Sequence, residues 1–328
     1  MDDLRPTSGH PYNPENVSEN ETSDLSISRL IAERSVLKCI PDVLHDPIAI
    51  DDGSFVSLDD VRYEIRFESP KAGEDMNGLC PTIQCDGRPE YHETTKPNRY
   101  RFFWRYQIGE CAVRLGIGWN SNGGKIEMDR GFLELNPNKA KERREVALLL
   151  RKLQRFARSV DLVRYDIAVD IPVQRESCRM RKDSRGYDYI NHGRGITEYL
   201  GTREKPGRVK LYDKTREAGL EGDWTRLELT CSADWDSAKI MQGFPDVYAW
   251  DGSACDGETR KWVQAFSLLA AEFLDNGGET IDPYLNILGK KSADRVMGFL
   301  ASPQVRIDQE AIETIRERAH SWFEDHSQ

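Results

Sequence analysis

A tyrosine set among cations is the strongest chemical feature of this chain. Residues Thr197 to Glu217 read as a strand, a turn punctuated by Gly and Pro, and a second strand running into a helix. The period of two along that second strand puts Arg208, Lys210, Tyr212 and Lys214 on one face, with Val209 and Leu211 on the other. A free phenol has a pKa of about 10 and needs nearby positive charge or a metal to act as a nucleophile at neutral pH. Flanking lysines would supply charge and would also draw a phosphodiester toward the phenol. The plain alternative is an edge strand with its lysines in water.

Two neighbouring stretches add carboxylates. Along Val163 to Ile171, Asp166, Ala168 and Asp170 share a face opposite Tyr165, Ile167 and Val169; along Asp223 to Cys231, Arg226, Glu228 and Thr230 share a face opposite Leu227 and Leu229. Carboxylates are depleted from strands, and a row of them on one sheet face repels unless a cation lies between. A hard divalent ion, Mg2+ or Mn2+, held by Asp166, Asp170 and Glu228, is the economical expectation. A solvated sheet face is the competing one.

The ordered set Arg-Tyr-Asp-Ile-Ala-Val-Asp (164–170), Thr-Glu-Tyr-Leu-Gly-Thr-Arg (197–203), Arg-Val-Lys-Leu-Tyr-Asp-Lys-Thr-Arg-Glu (208–217) and Trp-Thr-Arg-Leu-Glu-Leu (224–229) resembles the Rep_trans family. These are rolling-circle replication initiators of small plasmids, with related relaxases and phage replication proteins. Gly131 to Lys139 also resembles a segment of the plasmid initiators, so the likeness spans roughly residues 131–235. It departs mildly at Gly-Thr-Arg, where many members have Gly-Ser-Arg. The resemblance implies that Tyr212 bonds covalently to DNA, leaving a 5′-phosphotyrosine and a free 3′-OH. Arg203, Lys210, Lys214 and Arg226 would then bind phosphate or lower the phenol pKa. It further implies origin DNA, duplex and single-stranded, as partner, with a host helicase and a homodimer as further possibilities. A conjugative relaxase shares this chemistry, and a DNA-binding regulator without activity is the more distant alternative.

The elements that must carry these residues suggest an α+β fold: an antiparallel sheet with covering helices and a helical C-terminal region. Val61 to Phe67, Tyr100 to Tyr106 and Cys111 to Trp119 read as strands, and Asn120 to Gly124 as a hairpin turn into a strand over 125–135. Residues 69–98 read as a loop-rich connection. A helix is expected over 139–159 from Val146, Leu149, Leu150, Leu153 and Phe156, with one face of the sheet beneath it and the other left for the site. A short helix is expected over 25–37, and two more over 258–276 and 309–325. The division is a disordered leader over 1–24, a nicking domain over 25–235 and a helical region over 236–328. No internal repeat is visible.

The chain is acidic, with a net charge of −10, yet residues 139–231 hold 22 Lys and Arg against 15 Asp and Glu. A basic block of +7 inside an acidic chain is the local signature of a nucleic-acid surface; Arg179, Arg181 and Lys182 lie in a loop that could track phosphates or serve only as a soluble linker. Seven cysteines without a CxxC pair argue against a disulfide framework and a cysteine zinc site. Six histidines contain no His-x-His, the arrangement with which the other large class of rolling-circle nickases holds its metal. No secretory signal and no run of 18 apolar residues is present, so cytoplasmic residence is expected.

Overall fold

The computed structural model describes residues 39–40, 44, 46–140, 143–192, 195–250, 255–302 and 304–327. All lie in one compact unit, Lys38–Gln328. The expected leader and the helix over 25–37 lie outside the described residues.

The strands are β1 (Ile48–Ala49), β2 (Phe55–Phe67), β3 (Glu90–Glu93), β4 (Arg99–Ile108), β5 (Cys111–Asn120), β6 (Ile126–Leu135), β7 (Ala157–Ile171), β8 (Cys178–Met180), β9 (Tyr187–His192), β10 (Gly195–Leu200), β11 (Val209–Asp213), β12 (Thr225–Ser232) and β13 (Val247–Ala249). The helices are α1 (Pro70–Leu79), α2 (Pro137–Ala140), α3 (Arg144–Phe156), α4 (Lys214–Ala218), α5 (Ser237–Gly243), α6 (Gly257–Asp275), α7 (Asp282–Leu288), α8 (Lys290–Leu300) and α9 (Gln309–Ser327). Eleven strands form one sheet in the order β3-β4-β5-β6-β2-β7-β12-β11-β10-β9, with β1 on β2, and β8 pairs with β13 separately. The chain is α+β with a large antiparallel sheet and a helical C-terminal region.

Alternation divides the sheet. Val61, Leu115, Leu133, Ile167, Val169, Leu211, Leu227 and Leu229 point to one face and are essentially fully buried. Helix α3 covers that face with Val146, Leu149, Leu150 and Leu153, and α9 covers it with Ile312, Ile315 and Ala319. Each such leucine contributes about 2 kcal/mol of burial. Because the apolar residues hold this face, the alternate residues must emerge on the other one. Among the C-terminal helices, α9 therefore belongs to the sheet core, whereas α6, α7 and α8 gather around Trp250, Val263 and Phe299.

Three expectations change. The 69–98 connection contains α1, started by Ser69 capping the Ala72 amide and by Pro70 at its first position. The helix expected over 139–159 is confined to α3, and residues 157–162 belong to β7, whose pairing with β2 runs from Phe55↔Asp170 to Phe67↔Ala157. A long central strand outweighs the helical pattern at its start.

The third change is a repeat that the sequence does not display. Strands β2, β3, β4, β5 and β6 are laid out from the centre of the sheet as β7, β9, β10, β11 and β12 are on the other side, related by a two-fold through the β2–β7 pair. The registers agree: Arg62↔Glu134 and Glu134↔Arg114 on one side correspond to Ala168↔Glu228 and Glu228↔Lys210 on the other. Asp60 and Asp166 face each other at the axis. The repeat escapes a linear reading because the connections differ in length, so the offset between counterparts changes from strand to strand.

Helix α1 meets β6 through Gly73, where an added Cβ would stand 1.8 Å from the Met128 carbonyl oxygen. Gly→Ala inside a helix ordinarily stabilises by up to about 1 kcal/mol. Here overpacking against backbone reverses the sign, and Gly73→Ala should destabilise by about 1–3 kcal/mol. Urea unfolding checks this; a stabilised variant would refute the packing.

Candidate active site

Tyr212 is placed by the join between β11 and α4. Asp213 leaves the strand and accepts the Arg216 amide at 2.9 Å, so α4 begins immediately after the tyrosine. The Tyr212 hydroxyl donates to Glu228 Oε1 at 2.5 Å, and Lys210 Nζ binds Glu228 Oε2. Glu228 thus joins the two β11 side chains from the adjacent strand. Its carboxylate is almost fully buried.

Beside this triplet lies a second. Arg226, 1% exposed, donates to both oxygens of Asp170 at 2.7 Å and to Asp59 Oδ1 at 2.7 Å. Asp59 is the extra residue where the β2–β7 register shifts between Leu58 and Asp60. The bulge turns it to the polar face. Burial works against the Arg226 charge, but Asp170 and Asp59 outweigh it and keep the guanidinium charged. Burial alone would likewise raise Asp59, yet Arg226, Lys214 and Lys210 bring it down to about 2.

Asp166 has a different environment. It is 8% exposed and its Oδ1 has no hydrogen-bond partner. Burial first, then the charge of Glu228, pushes its carboxyl up to about 7. Burial, Glu134 and Asp166 raise Asp60 as well.

Of these side chains, Lys210, Asp166 and Asp60 line a cleft of about 650 Å³, whose walls also include Arg114, Glu134 and Tyr199. Of the tyrosines on β10 and β11, Tyr199 lines it, under the Arg208 guanidinium 4.7 Å from its ring centre. Tyr212 stands behind Lys210 and Glu228, half-buried.

The structure therefore brings Tyr212, Lys210, Arg226, Glu228, Asp166 and Asp170 onto one face. Lys214 is less direct: its ammonium pairs with Glu217 at 2.6 Å and sits 6.0 Å from the Tyr212 ring centre. Arg203 stands at the rim of the cleft with its side chain 82% exposed. The expectation that lysines depress the phenol pKa is corrected. Burial and the Glu228 charge raise Tyr212 well above its ordinary value, because the lysine charges are spent on Glu228 and Glu217.

Asp59, Asp60, Arg114, Glu134 and Arg164 went unnoticed in the sequence. The adjacent acidic pair at 59–60 ahead of an alternating run is the available signal, but the expected strand starts at Val61 whereas β2 starts at Phe55 and contains both.

The trio expected to hold a divalent ion does not fit one as arranged. Both oxygens of Asp170 are occupied by Arg226, and those of Glu228 by Tyr212 and Lys210. Only Asp166 offers an unpartnered oxygen. Among the described residues, no group of three or more His, Cys, Asp or Glu is placed to hold a metal.

No protein-family model matches the chain, and no curated protein matches it significantly. Among solved structures, it is similar to a rolling circle replication initiator protein from Geobacillus stearothermophilus, at 14% identity over 64% of this chain and 91% of that one, with a TM-score of 0.33. A heterotetrameric sarcosine oxidase from Corynebacterium sp. U-96 follows at 15% identity over 60% of this chain and 83% of that one, with a TM-score of 0.19. Scores this low establish neither a shared fold nor a shared activity. No helix among the described residues is long and apolar enough to cross a membrane.

Asp166 gives a stability signature with a definite sign. Its carboxyl holds a proton to about 7 when folded, against 3.8 ordinarily, so stability falls as pH rises through that window. Asp166→Asn removes the penalty. The variant should match wild type near about pH 4 and exceed it by a few kcal/mol near about pH 8. Urea midpoints at both pH values check this, and a variant less stable at the higher pH would refute it.

Proposed function

We propose that this protein is a DNA strand-nicking enzyme of the replication-initiator type, working by tyrosine transesterification with Tyr212 as nucleophile. The observation that carries the reading is the Tyr212 hydroxyl donating to Glu228 at 2.5 Å, with Lys210 on the other carboxylate oxygen, beside a cleft walled by arginine and lysine. A phenol with a raised pKa needs a base at hand, and Glu228 occupies that place.

In the proposed step Tyr212 Oη attacks phosphorus in line with the departing 3′ oxygen. The phenolic proton passes to Glu228 Oε1, the new O–P bond forms, and the P–O3′ bond breaks. The products are a 5′-phosphotyrosine and a 3′ oxygen that takes a proton from solvent. Lys210 and Arg208 offset charge on the phosphate, with Arg203 reaching from the rim. A divalent ion, Mg2+ or Mn2+, would have only Asp166 of the expected trio to hold it and would supply Lewis acidity there; the proposed step is carried by the side chains alone. The partners in this reading are an origin duplex and its single strand, with residues 236–328 as the origin-recognition part. A conjugative relaxase would use the same residues.

Tyr212→Phe should abolish nicking of supercoiled DNA and the covalent adduct while leaving DNA affinity unchanged, since only a hydroxyl is removed. Gel separation of nicked circles and denaturing detection of the adduct measure both. An adduct that persists in this variant overturns the assignment and moves the nucleophile to Tyr199, the tyrosine that lines the cleft. Chelation by EDTA should slow cleavage through loss of that Lewis acidity; full activity in chelator removes the ion from the scheme.

A further inference from the structure

The two-fold relation between the halves of the sheet sets a second group of side chains opposite the Tyr212 site. Asp60 stands where Asp166 stands, Glu134 where Glu228 stands, and Arg114 where Lys210 stands. The acid and base types are kept. The nucleophile is not: Gly116 takes the position of Tyr212, and Phe132 that of Arg226. A Cβ on Gly116 would lie 2.1 Å from Phe132 Cε1. The space that a tyrosine would need is filled by the Phe132 ring, so no counterpart of Tyr212 stands at that position.

What it has instead is surplus positive charge. Glu134, its side chain 7% exposed, receives Arg114 at 2.5 Å, Arg62 at 3.2 Å and Arg164 at 3.3 Å. Asp60 also lies 3.8 Å from Arg164, so three guanidinium groups meet two carboxylates and one positive charge remains. The Arg62 guanidinium is laid on Phe132, 4.4 Å from the ring centre, which fixes its plane. Arg114 is half-exposed and keeps donors for another acceptor. Planar, oriented guanidinium groups with spare donors suit a phosphodiester.

Both halves open into the same cleft. Arg114, Arg164 and Glu134 form one wall, and Lys210, Asp166 and Tyr199 the other. Its volume of about 650 Å³ admits a short piece of a single strand.

We propose that Arg114 and Arg164, held with Arg62 on Glu134, form a second, non-cleaving subsite that grips a backbone phosphate of single-stranded DNA next to the Tyr212 centre. The proposal rests on the nickase reading for the direction of the strand, and its two cleft-lining arginines are positioning residues. A phosphate held on this wall fixes the neighbouring phosphate on the other, which is how a tethered substrate gains reactivity without new chemistry.

The test uses the full chain carrying Tyr212→Phe, so that binding is read without turnover. The probe is a short fluorescein-labelled single-stranded oligodeoxynucleotide, followed by anisotropy at several salt concentrations. Arg114→Glu should weaken binding by roughly tenfold or more, and Arg114→Gln should lower the slope of log affinity against log salt by about one. Arg88→Glu, the same charge change on an exposed residue outside the cleft, should leave affinity within about twofold. Arg114 is half-exposed, and native circular dichroism of both variants confirms that the fold is kept. If Arg114→Glu and Arg88→Glu bind alike, the subsite is wrong. The two readings separate in the otherwise wild-type chain. Loss of binding in a protein that never nicks sinks the nickase and keeps the subsite, whereas unchanged binding in a protein that nicks sinks the subsite alone.

Discussion

The polar face of this sheet depends on one buried cation. Arg226 lies between Asp170 on β7 and Asp59 on β2, and its three hydrogen bonds cross from β12 to both central strands. Removing the guanidinium would leave Asp170 buried without a partner and Asp59 with only the Asn136 amide, a loss of about 3–5 kcal/mol for a broken buried pair. Its removal would also release the β2 bulge that turns Asp59 inward. Glu228 is two residues along the same strand. The clamp therefore sets the position of the carboxylate that meets Tyr212, with Arg226 itself the cross-strand neighbour of that tyrosine.

That clamp also answers a question the sequence raises and leaves open. Carboxylates on one strand face require a counter-cation, and the alternation of residues 163–171 and 223–231 shows the carboxylates directly. Whether the cation is a metal or a side chain depends on which strands become neighbours. The pairing Arg226↔Asp170 is a tertiary fact, with the partners 56 positions apart in sequence. The same holds for Lys210 and Glu228. Their common face was legible from a period of two, but the hydrogen bond that turns a row of cations into a row of ion pairs was not. The raised phenol pKa follows from that unseen step.

Core and site differed in legibility for a related reason. Alternation marked Leu211, Leu227 and Leu229 as buried because burial repeats along a strand whatever the neighbour is. The strand at the centre was harder. Residues 157–162 carry a helical pattern inherited from α3, and only the long pairing with β2 converts them. Asp59 and Asp60 were lost at the same place, since a bulge breaks the alternation that would have announced them.

The internal two-fold gives these details one cause. Two similar half-sheets joined through β2 and β7 bring like positions together at the axis, which is why two aspartates, Asp60 and Asp166, face each other in a buried setting that favours neither charge. Divergence then separates the halves by a few substitutions of known effect. Tyrosine at the Gly116 position is blocked by Phe132, whereas tyrosine at 212 finds Arg226 across the strand pair and Glu228 diagonally adjacent. Phenylalanine at 132 supplies a flat surface for Arg62; arginine at 226 supplies the clamp. One half is thus equipped to hold a charged strand and the other to react with it, on a single sheet whose apolar face is the same throughout.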